Sequence, residues 1–146
     1  MIAAGPGIGA GQRSNALMNL IDVGATFLDY AGVSKAEGMT ALSFRPFLEG
    51  TTRSHREFLS SGLGGWRLVC DGQYKLVRGF GPSSRIAEQT QLEVKDAPPM
   101  LFDLKADPLE NHNLAAKAPE IVARLAKLLP PIDADPQGDK RPEKKN

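Results

Sequence analysis

WRLVCDGQYKLVR, residues 66–78, sets two short runs rich in β-branched and aromatic residues on either side of Asp71-Gly72. That dipeptide tolerates the positive φ angles of a tight hairpin turn. Trp66, Leu68 and Cys70 fall on one face of the first strand, and Arg67 and Val69 on the other. After the turn, Tyr74 and Leu76 alternate with Lys75 and Val77. One face is the more apolar, so the hairpin is predicted to lie on a core with its basic face towards water. A lone hairpin is marginal in water, so further strands and a helix are required.

The rest of the chain has the means to provide them. At 146 residues, 41% hydrophobic and 24% charged, it can bury a sizeable core. A formal charge of +1 supplies no field to attract nucleic acid or an anionic membrane. No apolar run is long enough to cross a bilayer. The first residues, MIAAGPGIGAG, carry neither the basic start nor the apolar core of a signal peptide, and the compartment is left open. Cys70 is the single cysteine; it can form neither an internal disulfide nor a cysteine metal cluster, and it reads as a small buried hydrophobe.

Upstream of the hairpin, residues 1–4 look like the end of a strand running into the glycine loop of residues 5–11. Gly5, Gly7 and Ala10 match a dinucleotide fingerprint formally. Pro6 removes an amide there, and Gly9 and Gly11 disfavour the helix that the motif needs. Residues 15–31 allow one long helix. A strand over residues 16–21 followed by a helix capped by Asp22 and ended by Gly32 fits better. Asp22 is therefore read as a cap rather than a catalytic group. Residues 38–50 suggest a short helical turn pinned by Phe44, Phe47 and Leu48, residues 51–55 an exposed connection, and residues 57–61 a strand.

Downstream, residues 79–84 read as a loop, and residues 89–95 as either an irregular strand or more of that loop. Residues 100–104, MLFDL, form a short strand, and Asp107-Pro108 a turn. Residues 119–129 make an amphipathic helix, with Pro119 and Glu120 suited to its first turn. Beyond residue 131 the chain is polar and is predicted to be a disordered tail.

Candidate chemistry is sparse. His55 and His112 have no ligand spacing to a second histidine or cysteine and read as surface residues. Ser83-Ser84 lack a nucleophile elbow. Asp103, Asp107 and Glu110 lack the alternating oxygens of a calcium loop and read as turn-makers and caps. Trp66 is a core anchor before it is a sugar platform. Arg67, Lys75 and Arg78 form a basic strip, read as a solvated strand face.

The order of segments is more informative. AGPGIGAG, IDVGATFLDYAGV, GMTALSFRPFLEG, WRLVCDGQYKLVR and LFDLKADPLENHNLA together resemble the C-terminal part of the type I sulfatases. These are arylsulfatase- and N-sulphoglucosamine sulphohydrolase-like enzymes of the alkaline-phosphatase-like superfamily. LFDL-x-x-DP-x-E-x-x-NLA, at residues 101–115, is the most specific piece. Ala25 departs from the proline usual in the family.

The resemblance implies an α+β chain. Residues 1–50 would be the end of an α/β sulfatase catalytic domain, residues 51–130 a small antiparallel sheet packed by a C-terminal helix, and residues 131–146 a tail. It also implies a formylglycine nucleophile and calcium in the full-length protein, both upstream of the Gly5-Pro6-Gly7 loop. Cys70, followed by Asp71-Gly72, does not match the formylglycine signature, and Pro82-Ser83-Ser84-Arg85 lacks its first residue. No catalytic or metal-binding residue is therefore assigned to this chain. Substrate-binding residues are unassigned, with the loops at residues 62–65 and 79–84 the best placed to touch a sulfated small molecule or sugar. The function implied is a sulfuric-ester hydrolase's C-terminal fragment, inactive alone. The alternative is a non-catalytic binding module derived from a sulfatase tail. A strand at residues 1–4 without parallel neighbours would expose an apolar edge and drive self-association.

Overall fold

The elements run α1 (Ile21–Tyr30), α2 (Arg45–Leu48), β1 (Leu59–Leu63), β2 (Trp66–Cys70), β3 (Tyr74–Arg78), β4 (Met100–Asp103) and α3 (Pro119–Ala126). They belong to a computed structural model that describes residues 1–63, 66–79 and 98–130. The expectations for residues 64–65, 80–84, 89–95 and the tail lie outside those residues. Two compact units divide the chain, Met1–Leu59 and Ser60–Asn146.

In the second unit the four strands form one sheet in chain order, and β3 pairs antiparallel with both β2 and β4. The hairpin is confirmed, with a shifted corner. Cys70 pairs with Lys75, and the amide of Asp71 donates to the carbonyl of Tyr74. Gly72 and Gln73 are therefore the central turn residues. Gly72 has φ +90° and Gln73 does not share the positive sign, as in a turn with glycine at its first central position. Asp71 pins this corner. Its Oδ1 accepts from the amides of Gln73 and Tyr74, and its Oδ2 accepts from Arg124 of α3 at 2.6 Å.

Val69, Leu76 and Leu101 sit opposite one another across three strands, each fully buried. Burying such a side chain is worth about 1.5–3 kcal/mol. The helix α3 packs on β2 and β3, and its Leu125 is equally buried. The predicted facing of β2 is reversed: Arg67 and Val69 are buried, whereas Trp66, Leu68 and Cys70 are only half-buried. The three basic residues do not form one strip: Arg67 lies opposite Arg78 on the face it shares with Val69, whereas Lys75, opposite Cys70, lies on the other face and pairs with Glu110. Cys70 Sγ accepts from the amide of Gly72 instead of being sealed in a core.

The outer edge of β4 is covered by the segment that follows it. The Leu101 amide donates to Asn113 Oδ1, the Leu114 amide donates to the Leu101 carbonyl, and Asn113 Nδ2 donates to the Pro99 carbonyl. Asp103 and Asp107 serve the turn between, accepting from the amides of Lys105, Ala106 and His112. These are turn-making roles, as their spacing suggests. The final helix is shorter than expected, ending at Ala126 with turns at residues 127–129.

In the first unit, α1 ends as the sequence predicts. Gly32 has φ +69°, its amide donates to Asp29, and the amide of Val33 donates to Leu28, the paired bonds of a Schellman termination. Two expectations fail. Residues 16–21 form a single bridge, Leu17 to Arg56, rather than a strand. Residues 1–4 are exposed and make no ladder, because no strand among the described residues runs beside them. The short turn α2 forms where Pro46 suits the first helical positions.

Replacing Leu76 by Ala is expected to cost about 2–4 kcal/mol in urea unfolding, by loss of transfer energy and creation of a cavity. A Cβ added at Gly62 would come within 2.5 Å of the Trp66 carbonyl and the Arg67 side chain. Gly62→Ala is therefore expected to cost about 1–3 kcal/mol. Leu109→Ala, on an exposed turn, should leave the midpoint unchanged.

Candidate functional site

Asp22 is the most connected side chain of the first unit. It lies in the first turn of α1 and is not the residue before the helix; Asn19 Oδ1 accepts from the Ile21 amide at 3.3 Å while Asp22 reaches back to the Asn19 amide, the reciprocal pair of a capping box. Its carboxylate is fully buried. Oδ1 accepts from the Leu42 amide at 2.9 Å and from an Arg56 terminal nitrogen at 2.5 Å. Oδ2 accepts from Arg56 Nε at 2.7 Å, from the Asn19 amide at 3.0 Å and from His55 at 3.0 Å. An ionised carboxylate only accepts, so His55 donates through Nε2.

The geometry is a bidentate guanidinium clamp completed by two amides and an imidazole. Burial alone would raise the Asp22 carboxyl. The bonds from Arg56, Leu42, Asn19 and His55 outweigh it and hold the group far below the usual carboxylate range. One turn on, Thr26 repeats the pattern. Its hydroxyl donates to the Asp22 carbonyl at 2.7 Å and accepts from the Phe44 amide at 3.0 Å. Asp29 continues the row, accepting from Ser43 at 2.6 Å and pairing with Arg45.

His55 is therefore not a surface residue: its side chain is 5% exposed and meets the edge of Phe44 at 5.8 Å between ring centroids. His112 is a surface residue, with its side chain 80% exposed beside Asp107. No sequence spacing joins Asp22 to His55 and Arg56, more than thirty residues away.

Two clefts adjoin this network. One, of about 430 Å³, has an apolar floor that includes Val23, Phe44 and Phe47, with Arg13 and Asn19 among its polar groups. The other, of about 490 Å³, includes Asp29, Lys35, Ser43 and His55. In the second cleft the ionisable groups are engaged: Lys35 Nζ donates to the Ala41 carbonyl at 2.7 Å, and Asp29 and His55 are bonded as above. A carboxylate with both oxygens saturated by cationic and amide donors is a poor base and a poor cation ligand. Among the described residues no three His, Cys, Asp or Glu converge as a metal set. The described residues thus bring together no set of oxygens suited to calcium, and Cys70 is followed by Asp71-Gly72 at the hairpin corner.

No family model matches the chain. Curated relatives do. An ulvan-active sulfatase of Formosa agariphila is 30% identical over 73% of this chain and 26% of its own length. Arylsulfatase K of Gallus gallus is 30% identical over 88% and 24%. The chain is related to the sulfatases. A third sulfatase, the N-acetylgalactosamine-6-O-sulfatase of Bacteroides thetaiotaomicron, is 35% identical over 56% of the chain and 16% of its own length.

Solved structures agree on the α+β fold. A 2-O GAG sulfatase superposes with a TM-score of 0.63 at 24% identity, over 86% of this chain and 27% of that one. A phosphonate monoester hydrolase of Silicibacter pomeroyi gives 0.61 at 24%, over 86% and 26%. This sulfatase-related chain spans about a quarter of the length of the curated relatives it matches.

Asp22→Asn is expected to destabilise the first unit by about 3 kcal/mol, because it leaves the Arg56 guanidinium without its counter-charge. The pH dependence has a definite sign. A carboxyl lowered in the folded state adds stability that is fully present above its unfolded value, near 4, and is lost as pH falls from there through the lower folded value. Acid titration followed by hydrogen exchange should show residues 16–56 opening below about pH 4. With Asp22→Asn that slope should flatten.

Proposed function

We propose that this chain is the C-terminal part of a sulfuric-ester hydrolase that acts on sulfated carbohydrate, and that it contributes scaffold rather than chemistry. The observation that carries the reading is sequence likeness to three sulfatases across most of the chain. The substrate class follows the names of two of them, one active on ulvan and one on a sugar 6-O-sulfate. The fold is shared with a phosphonate monoester hydrolase, so the ester chemistry is read from the sequence relatives and not from the architecture.

Formylglycine and calcium, where the longer proteins use them, would supply the nucleophile and the charge stabilisation. This chain's own groups have different work. Asp22, His55 and Arg56 lock α1 to the segments around residues 42 and 55. The hairpin, β4 and α3 provide a sheet scaffold, and on this reading residues 62–65, which begin at the end of β1, and 79–84 are assigned contact with the carbohydrate beyond its sulfate.

The test is a chimera in which this chain replaces the matching portion of the Formosa sulfatase. Release of sulfate from a sulfated polysaccharide by the chimera, with none from the chain alone, is the expected result. A well-folded chimera that binds the polysaccharide without turnover would instead favour a non-catalytic binding module. Turnover by the isolated chain would overturn the scaffold reading.

A further inference from the structure

Asp71 is the single Asp or Asn of the sequence that is followed by glycine. In such a pair the glycine nitrogen can attack the side-chain carbonyl carbon before it and close a five-membered ring. A side chain on the second residue hinders that approach, and glycine has none. The attack also needs a neutral carboxyl, because an ionised one is a poor electrophile, and a carboxyl free to swing onto the main chain. In the folded second unit neither condition holds. Asp71 Oδ1 accepts from the amides of Gln73 and Tyr74 at 3.0 and 2.7 Å, and Oδ2 accepts from Arg124 at 2.6 Å. Burial would raise this carboxyl, but the bonds from Tyr74, Arg124 and Gln73 outweigh it and hold it below its ordinary value. The Gly72 amide is itself turned towards Cys70 Sγ, at 3.4 Å.

The three bonds differ in origin. Two belong to the turn and form whenever the hairpin does. The third comes from 53 residues away and exists only while α3 lies on β2 and β3. We propose that Asp71-Gly72 is a self-modification site gated by Arg124, inert while α3 holds the carboxylate and converting to isoaspartate when that hold is released. In the first step the Gly72 nitrogen bonds to Asp71 Cγ, and its proton and the carboxyl hydroxyl leave as water. In the second, water adds to the α-carbonyl of the succinimide and the bond from that carbon to the Gly72 nitrogen breaks. The main chain then runs through Asp71 Cβ and Cγ, and the former α-carboxyl becomes the side group. Water is the only other reactant. The chain gains one methylene inside the Cys70-Lys75 pair and loses the carboxylate that holds Gln73, Tyr74 and Arg124. A two-residue turn does not absorb that change, so the switch runs one way. This inference does not depend on the sulfatase reading.

The full chain is aged at neutral and mildly acidic pH and digested with trypsin. The peptide of residues 68–75, LVCDGQYK, is then assayed for isoaspartate by electron-transfer fragmentation. Folded wild type should modify at least about tenfold more slowly than the chain in urea, since reaction waits on local opening. Arg124→Ala should speed the folded reaction by about three- to tenfold, the effect of losing a charge-assisted bond from a half-exposed arginine. Arg124→Lys, which keeps a charged donor, should restore most of the protection. In urea all of these chains should react at one rate. Hydrogen exchange across β3 checks that the sheet persists in each variant, and Arg124→Gln replaces Arg124→Ala if it does not. Equal rates in folded and urea-unfolded wild type overturn the proposal. Equal rates in folded wild type and a folded Arg124→Ala or Arg124→Gln chain also overturn it.

Discussion

The first unit depends on one buried negative charge. The Asp22 carboxylate joins the start of α1, the segment at Leu42 and the His55-Arg56 pair. Removing a carboxylate from water is costly unless its lone pairs are filled, and both oxygens of this one are fully engaged. The same bonds explain why α1 turns a polar side inward. The segments it packs on present amides, a guanidinium and an imidazole, so Asp22, Thr26 and Asp29 belong where an ordinary helix would carry leucines.

The features legible in the sequence are the local ones. Asp71-Gly72 marks the hairpin, Pro119 the last helix, Gly32 the end of α1, and Asp107-Pro108 a turn, because each acts through its immediate backbone. The clamp is not legible. Asp22 before an apolar run reads as a cap, and a single chain carries no signal that its partners lie twenty and thirty-four residues further on. His55 reads as a surface residue for the same reason. The facing of β2 is missed because alternation fixes which residues share a face, not which face is covered. Arg67 looks polar enough to point outward, yet it is buried in the same row as Val69. The glycine of that neighbourhood, Gly62, leaves the room that its side chain occupies.

The most family-specific stretch, residues 101–115, turns out to be architectural. Asp103 and Asp107 bind turn amides, Asn113 binds both sides of the strand end, and Glu110 adopts φ +58° while pairing with Lys75. A left-handed residue other than glycine costs strain, and the ion pair and surrounding turn hold it there. A motif can thus be highly recognisable because the turn it encodes is difficult to build.

Asn113 has one more effect. An open strand edge is a template on which another chain's backbone can add. With the Leu101 amide and carbonyl already taken by Asn113 and Leu114, β4 offers no free rungs at that position. Fibril-like growth from this side of the sheet is blocked at its first step.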